Sequence, residues 1–375
     1  MTVPAYDVIV LGAGIVGAAC ARALAERSLR VAVVESDMIG GGASATGMGH
    51  VVVMDDSAAQ FALTRYSRQL WGEFLESLPA DCEYEACGTL WAAADAEEIE
   101  AVFTKKQSYE QGGIRAEVLD STAIKDAEPH LRPGMAGGLR VPDDCVVYPP
   151  CVARWMIEQA QTHGAELFLG AAAVKIDEES VTLADGLRLA AGKIVVAAGT
   201  LASRLLPELP IRPRKGHLLI TDRYPGFARH QIVELGYLRS AGAATGDSVA
   251  FNLQPRRTGQ LLLGSSRQYD DDSSEIRWPL LRRMIGRALQ YMPALKQTKA
   301  IRVWTGFRAS TPDKLPLIGP YPGSRNILLA TGHEGLGITT APATGEMIAQ
   351  HILGFAPKIP LEPYLPARLL PEGRT

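Results

Sequence analysis

Residues 6–35 read YDVIVLGAGIVGAACARALAERSLRVAVVE, and the order of element types in this stretch decides the fold. Tyr6 to Leu11 is a short apolar run rich in β-branched residues, the pattern of a buried strand. Gly12-Ala-Gly14-Ile-Val-Gly17 follows, and small and apolar residues then recur at helical spacing to about Ala25. Arg30 to Glu35 reads as a second strand that ends on an acid. Each glycine has its own task. Gly12 permits the tight turn, Gly14 lets the backbone approach a pyrophosphate, and Gly17 lets the helix pack close to the sheet. The helix start, at Ile15 and Val16, presents N–H groups and the positive end of its dipole to phosphate. Glu35, with Ser36 beside it, is placed to accept hydrogen bonds from two ribose hydroxyls and to repel a 2′-phosphate. Strand, glycine turn, helix, strand and acid together predict a dinucleotide site.

The next segment separates the flavin dinucleotide from the nicotinamide one. Ile39-Gly-Gly-Gly-Ala-Ser-Ala-Thr-Gly-Met-Gly-His50 is rich in glycine and small residues, which keep the backbone open to a bulky ligand. Ser44 and Thr46 are placed to donate to phosphate, and Gly42, Ala43, Gly47 and Met48 complete the expected contacts. A nicotinamide dehydrogenase has no need of such a loop after its acid. A flavoprotein does, because FAD extends from the ribose past this loop. A flexible surface linker is the alternative, and the apolar run Val51-Val-Val-Met54 behind it argues against that. Near the other end, Asn326 to Thr331 is a strand that runs into Gly332-His-Glu-Gly-Leu-Gly337. A helix follows, expected to be capped by Thr339 or Thr340 and stopped by Gly354. Gly332, Glu334, Gly335, Leu336, Gly337 and Ile338 are expected against the flavin. There a helix dipole would favour the negative charge of the reduced ring. An ordinary strand–loop–helix closing the sheet is the bland alternative.

The rest of the 375 residues is consistent with a globular enzyme. The chain is 47% hydrophobic and 21% charged, with a net charge of −3. That excludes a disordered, collagen-like or disulfide-scaffold chain, and no basic stripe draws it to nucleic acid. No apolar run approaches the roughly 20 residues of a membrane span. The N-terminus reads as a first core strand rather than a signal peptide. Five scattered cysteines without CxxC spacing point to reduced thiols in a cytosolic protein and to no metal site.

Two C-terminal stretches, Gly306-Phe-Arg308-Ala-Ser-Thr-Pro-Asp313-Lys-Leu-Pro-Leu-Ile-Gly319 and Gly332-His-Glu-Gly-Leu-Gly-Ile338, carry a resemblance. The chain resembles, over almost its whole length, the D-amino-acid oxidase superfamily of FAD-dependent oxidoreductases, in its glycine and sarcosine oxidase branch. Its N-terminal motif and flavin loop are similar to those of the FAD-bearing subunits of bacterial D-hydroxyproline dehydrogenase and hydrogen cyanide synthase. The resemblance implies an α/β plus α+β fold: a Rossmann-like FAD-binding domain with a mostly parallel sheet, and an inserted antiparallel-sheet substrate domain. The FAD-binding domain is expected at 1–81, 146–212 and 304–375, and the substrate domain at 82–145 and 213–303. Strand-like runs at 88–94, 216–221, 231–233, 248–253 and 260–264 suit the inserted sheet, as does a charged helix over about 95–111. A helix over 151–163 links the parts. Ala165 to Val174 is expected as a strand near the adenine, with Val174 meeting the ring through its backbone. Lys193 to Val196 is expected to enter a turn at Ala198 and Gly199. The acidic run 270–272 reads as a solvated turn.

In this family an arginine in the position of Arg308 holds the substrate carboxylate, a task that suits a planar fork of donors. A surface salt bridge to Asp313 is the alternative. His50, directly after the flavin loop, and His333, in the second glycine turn, are candidates for taking up the amine proton. His217 and Tyr237 are weaker candidates. Some sarcosine oxidases tether FAD through a cysteine beside the arginine segment. This chain has no cysteine after Cys151, so non-covalent FAD is expected. The resemblance implies hydride transfer from the α-carbon of a small amino or imino acid to flavin N5. It further implies partner subunits that carry electrons away through an iron–sulfur centre. Rival expectations are a dioxygen-using glycine or sarcosine oxidase and a flavin subunit that relays electrons without a substrate of its own. A cytoplasmic chain is expected, with peripheral association with the respiratory membrane left open.

Overall fold

The apolar run Val8–Leu11 is wholly buried within strand Tyr6–Leu11, as a central parallel strand covered on both sides requires. The computed structural model describes residues 6–236, 246–269 and 271–370. In it this strand sits inside a sheet of order Leu317–Pro320, Ile327–Thr331, Arg188–Val196, Tyr6–Leu11, Val31–Glu35, Glu166–Leu169. Every neighbouring pair is parallel except the edge pair of Leu317–Pro320 with Ile327–Thr331. Helices Ile15–Ala25, Pro149–Thr162 and Gly337–Leu353 bury their apolar residues on one face. A hairpin of Ala173–Asp177 and Ser180–Leu183 extends the sheet alongside Arg188–Val196. It helps cover the other face.

A second sheet has the order Ala300–Ser310, Arg212–Arg223, Gln260–Arg267, Ser248–Pro255, Gln231–Glu234, Thr89–Ala93, Gly137–Val141, Glu117–Asp120. It departs from the expected antiparallel pattern at one place, where Gln231–Glu234 runs parallel to Thr89–Ala93. These strands come from segments far apart in the chain, so no hairpin dictates their direction. Alternation along the strands sorts the faces. Leu90, Ala92, Ile232, Phe251, Leu253, Leu261 and Leu263 pack against Leu281, Met284, Ala288 and Tyr291 of helix Trp278–Tyr291. The opposite face looks into the cavity described below.

Several local expectations are corrected. Ala165–Val174 is not one strand. Gly170, at φ +73°, turns the chain between Glu166–Leu169 and Ala173–Asp177. The linking helix begins at Pro149 rather than Cys151, with proline in the first turn where its missing N–H costs nothing. Thr339 and Thr340 lie inside the last helix and do not cap it. Thr339 Oγ1 instead accepts from Val52 N–H and donates to His50 O, both at 3.1 Å. The acidic run is no simple solvated turn: Asp271 Oδ2 lies 2.9 Å from the fully buried Lys215 ammonium. That ammonium holds the Asp271 carboxyl down at about 2. Asp270 lies outside the described residues. All five cysteines carry free thiols. Among the described residues, no helix is long and apolar enough to cross a membrane.

The first and last helices of the first sheet touch backbone to backbone. A Cβ on Gly345 would stand 2.5 Å from Ala19 O and 2.7 Å from Ala19 C, and neither atom can rotate away. Gly345→Ala is therefore expected to lower stability by about 1–3 kcal/mol, read as a shift in the denaturant midpoint with unchanged slope.

Candidate functional site

Ligands of open parallel sheets bind beyond the carboxyl ends of the strands, and the large cavity lies there. It measures about 640 Å³, within the roughly 300–1,000 Å³ of cofactor and small-molecule sites. Leu11, Glu35, Ala197 and Thr331, each at or just past a strand end, line it. The first glycine turn is built as its sequence implies. Gly12 has φ +103°, and a Cβ on Gly17 would collide with the Gly12 carbonyl oxygen. Gly14 faces the cavity, and a Cβ there would meet only Ser44 Oγ, at 3.5 Å. The N-cap of helix Ile15–Ala25 is Gly14, which has no side chain to cap it. Ile15 N–H donates to Ser44 Oγ at 3.0 Å. Glu35 Oε2 accepts from Ala13 N–H at 2.7 Å and Oε1 from Asp37 N–H at 2.9 Å. The acid thus braces the turn as well as facing the cavity. Helix Gly337–Leu353 also starts at the cavity without a side-chain cap.

The cavity brings together Gly12, Gly14, Ile15, Val16, Glu35, Ser36, Gly42, Ala43, Ser44, Thr46, Gly47 and Met48 from the first half of the chain. From the second half it gathers Ala198, Gly199, Gly332, Glu334, Gly335, Leu336, Gly337 and Ile338, and of the proton-transfer and carboxylate candidates it brings in His50 from the first half and Arg308 and His333 from the second. Two expected residues do not line it. Gly17 serves the helix–turn contact. Val174 is 59% exposed, and Ala171, Ala172 and Ala173 form the wall at that place. Thr46 does not offer its hydroxyl outward in this structure; its Oγ1 donates to Gly42 O at 3.0 Å. Two helix starts at the cavity, an open glycine backbone and an acid at the second strand's end fit an extended dinucleotide. On that fit, the turn at 12–17 would hold the pyrophosphate and Glu35 the ribose. The loops at 42–48 and 332–338 would hold the flavin.

The second sheet supplies the other wall. Arg214 pairs with Arg308 across two strands, and Gly216 with Gly306. The glycine pair leaves a gap that side chains fill. A Cβ on Gly216 would lie 2.6 Å from Arg308 Nη1, and one on Gly306 would collide with Thr46 Oγ1. Arg308 Nη1 donates to Ser266 O at 3.2 Å. The alternative partner Asp313 is instead held by Arg368, with Nε 2.6 Å from Oδ2. Glu334, half-buried, packs against the buried Arg214 with Nη2 2.5 Å from Oε1, so its negative charge is neutralised beside Arg308.

The histidines differ. His50 Nε2 is buried without a hydrogen-bond partner, and burial pushes its pKa down to about 4. His333 Nε2 lies 2.9 Å from Thr344 Oγ1, whose proton goes to Thr340 O at 2.9 Å. The imidazole must therefore be the donor, which assigns the proton to Nε2. His217 lies off the cavity. It accepts from Arg277 N–H at Nε2 and bonds Ser266 Oγ through Nδ1, a structural tie. Tyr237 lies outside the described residues. Sequence reasoning missed Trp91, Arg204, Gly216, Leu218, Asn252 and Ser265, all of which line the cavity.

Comparison with known proteins follows the same lines. The FAD dependent oxidoreductase family profile matches residues 7–351. The chain is 28% identical over 366 residues to glycine oxidase of Bacillus licheniformis, covering 93% of each. It is 25% identical over 419 residues to the hydrogen cyanide synthase subunit HcnC of Pseudomonas aeruginosa, covering 98% of this chain and 97% of the relative. The crystal structure of L-proline dehydrogenase from P. horikoshii superposes with a TM-score of 0.87 at 24% identity, over 98% of this chain and 99% of that one.

Burial pushes the His333 pKa down to about 3, below the roughly 6.5 of an unfolded histidine. The neutral ring's contribution to stability is whole above pH 6.5 and is lost as the pH falls from 6.5 towards 3. Compared with His333→Gln, the wild type is expected to lose about 1.4 kcal/mol more per pH unit across that window. Denaturant titrations at several pH values measure the difference.

Proposed function

The chain belongs to the FAD dependent oxidoreductase family, and we propose that it oxidises a small amino or imino acid at its CH–NH bond. The favoured substrate is D-hydroxyproline or a similar cyclic secondary amine. The likeness to glycine oxidase supports an amino acid substrate. The observation that carries the reading is the Arg308 guanidinium lying over Gly216 on the cavity wall. A planar fork there binds a carboxylate through two parallel hydrogen bonds and so orients the substrate.

FAD, when bound, supplies the two-electron acceptor for the hydride lost from the substrate α-carbon. The protein's own tasks are simpler. Arg308 anchors the carboxylate. Arg214 neutralises Glu334, so that its charge does not repel the substrate carboxylate beside Arg308. His50 lines the cavity with Nε2 unpartnered, and burial disfavours its charged form, so it serves the substrate amine as a neutral hydrogen-bonding partner that aligns the lone pair rather than as a store for its proton. His333 positions the second glycine turn through Thr344. The relative HcnC is by name a subunit of hydrogen cyanide synthase. On that likeness the proposal includes an assembly whose partner subunits, with an iron–sulfur centre, take the electrons onward. A glycine- or sarcosine-type oxidase using dioxygen is the second reading, and peroxide release by the isolated chain would favour it.

Anaerobic mixing of the yellow holoprotein with D-hydroxyproline, D-proline, glycine and sarcosine tests the reading. Bleaching of the flavin band by a cyclic imino acid is expected, and an unchanged spectrum with the whole panel would overturn it. Arg308→Leu is expected to raise KM roughly 10²–10³-fold, the worth of a charge-assisted bidentate pair, with FAD content unchanged. Gly216→Ala, which displaces the guanidinium, should raise KM in the same direction by less.

A further inference from the structure

The last helix, Gly337–Leu353, begins on the cavity wall, where Gly335, Leu336, Gly337 and Ile338 line it. The first N–H groups of a helix have no partner within it, so the direction of the first turn decides what they face. That direction is not left to the helix itself. Pro342 stands inside it. The proline ring carries no N–H and crowds the carbonyl four residues back, that of Ile338. The next rung is altered too. Ala343 N–H, which in a regular helix serves Thr339 O, donates to Ser67 Oγ at 3.1 Å. Ser67 Oγ in turn donates to Thr339 O at 2.6 Å. A hydroxyl from another helix is thus inserted into the backbone ladder, one of the few causes of a sharp bend.

Thr339 is held on all its polar atoms but the amide. Its carbonyl also accepts from Trp71 Nε1 at 2.9 Å, and its hydroxyl bonds Val52 N–H and His50 O. Ser67 and Trp71 lie one turn apart on helix Ala58–Gly72, so both reach the same carbonyl. Ser67 and Trp71 are 0% exposed and Thr339 1%, and hydrogen bonds are stronger in such surroundings than in water. Packing two helices asks only for an apolar residue at position 67. A serine there spends its hydroxyl on the first turn of its neighbour.

Resting on the placement of the flavin against 332–338, we propose that Ser67 and Trp71 are positioning residues for the flavin. By holding the Thr339 carbonyl they aim the first turn of the last helix at the ring, and so raise its tendency to accept electrons. The aligned N–H groups favour the negative charge of the reduced ring. The same anchor carries the His50 carbonyl through the Thr339 hydroxyl, so the helix start and the His50 backbone share one frame.

The test measures the midpoint potential of the FAD-loaded protein by equilibration with a reference dye. Ser67→Ala removes the inserted hydroxyl, and Trp71→Phe removes the indole N–H while keeping an aromatic ring. Each is expected to shift the equilibrium towards oxidised flavin by about two- to fivefold, the range of a charge at a helix end. Amide exchange over 337–343, followed by mass spectrometry, should quicken in both. Tyr364→Phe is the control. The Tyr364 hydroxyl donates to Ala59 O at 2.6 Å, on the same helix as Ser67 but away from Thr339. This variant should lower Tm and leave the potential unchanged. An equal shift of potential in Tyr364→Phe would overturn the proposal, because any loosening of helix Ala58–Gly72 would then suffice. An unchanged potential in both Ser67→Ala and Trp71→Phe would overturn it as well, and the exchange data then separate the causes. Quickened exchange would mean that the flavin does not lie at this helix start, and the placement falls with the proposal. Unchanged exchange would leave the placement standing and remove Ser67 and Trp71 from the control of the turn.

Discussion

A methyl group on Gly17 would run into the carbonyl oxygen of Gly12, and that closeness governs what the first sheet can do. It brings the first turn of helix Ile15–Ala25 hard against the end of strand Tyr6–Leu11, so the helix start opens onto the cavity. Glu35 reinforces the arrangement by accepting the Ala13 N–H, which ties the end of the second strand to the turn after the first. A side chain at either glycine would tilt the helix and swing its dipole away from the ligand.

The second sheet forms its wall by the same device, absence of side chains, for a different purpose. Gly216 and Gly306 face each other across two strands, and the gap receives the Arg308 guanidinium and the Thr46 side chain. Trp304 Nε1 donates to Thr46 O at 3.1 Å, so the flavin loop and the second sheet are stitched at that point. The pair of Arg214 and Glu334 joins the second sheet to the second glycine turn. Its worth as stabilisation is modest, because desolvation offsets most of the attraction. Its effect on the charge of the site is larger.

What could be read from the chain follows from how local the determinants are. The motif at residues 12–17, the helix that follows and the acid at position 35 act over a few turns of chain, and their spacing was legible. So were Arg308 and the glycine turn at 332–337, through family likeness. Asn252, Ser265 and Gly216 were not, because their meaning depends on which strands of two distant insertions become neighbours and in what register. Alternation showed that one face of each strand is apolar, as at Leu90 and Ala92 or Phe251 and Leu253. It did not say that Asn252 would align with Val233 and Trp91. The Lys215–Asp271 pair was hidden for the same reason. At Val174 the difference is simpler: Gly170 turns the chain early, and Ala171–Ala173 line the cavity there.

The joining of the two ends of the chain bears on how the protein is made. Strand Tyr6–Leu11 is hydrogen-bonded to 191–196, and 194–196 in turn to 327–329. Ala19 finds its backbone partner only at Gly345. On the ribosome, the leading segment therefore emerges long before the residues that cover it. The nascent polypeptide carries an open edge on this strand until 191–196 have emerged, and a helix only partly covered until Gly345 has followed, so chaperone holding during synthesis matters more for this architecture than for one whose early segments close on themselves.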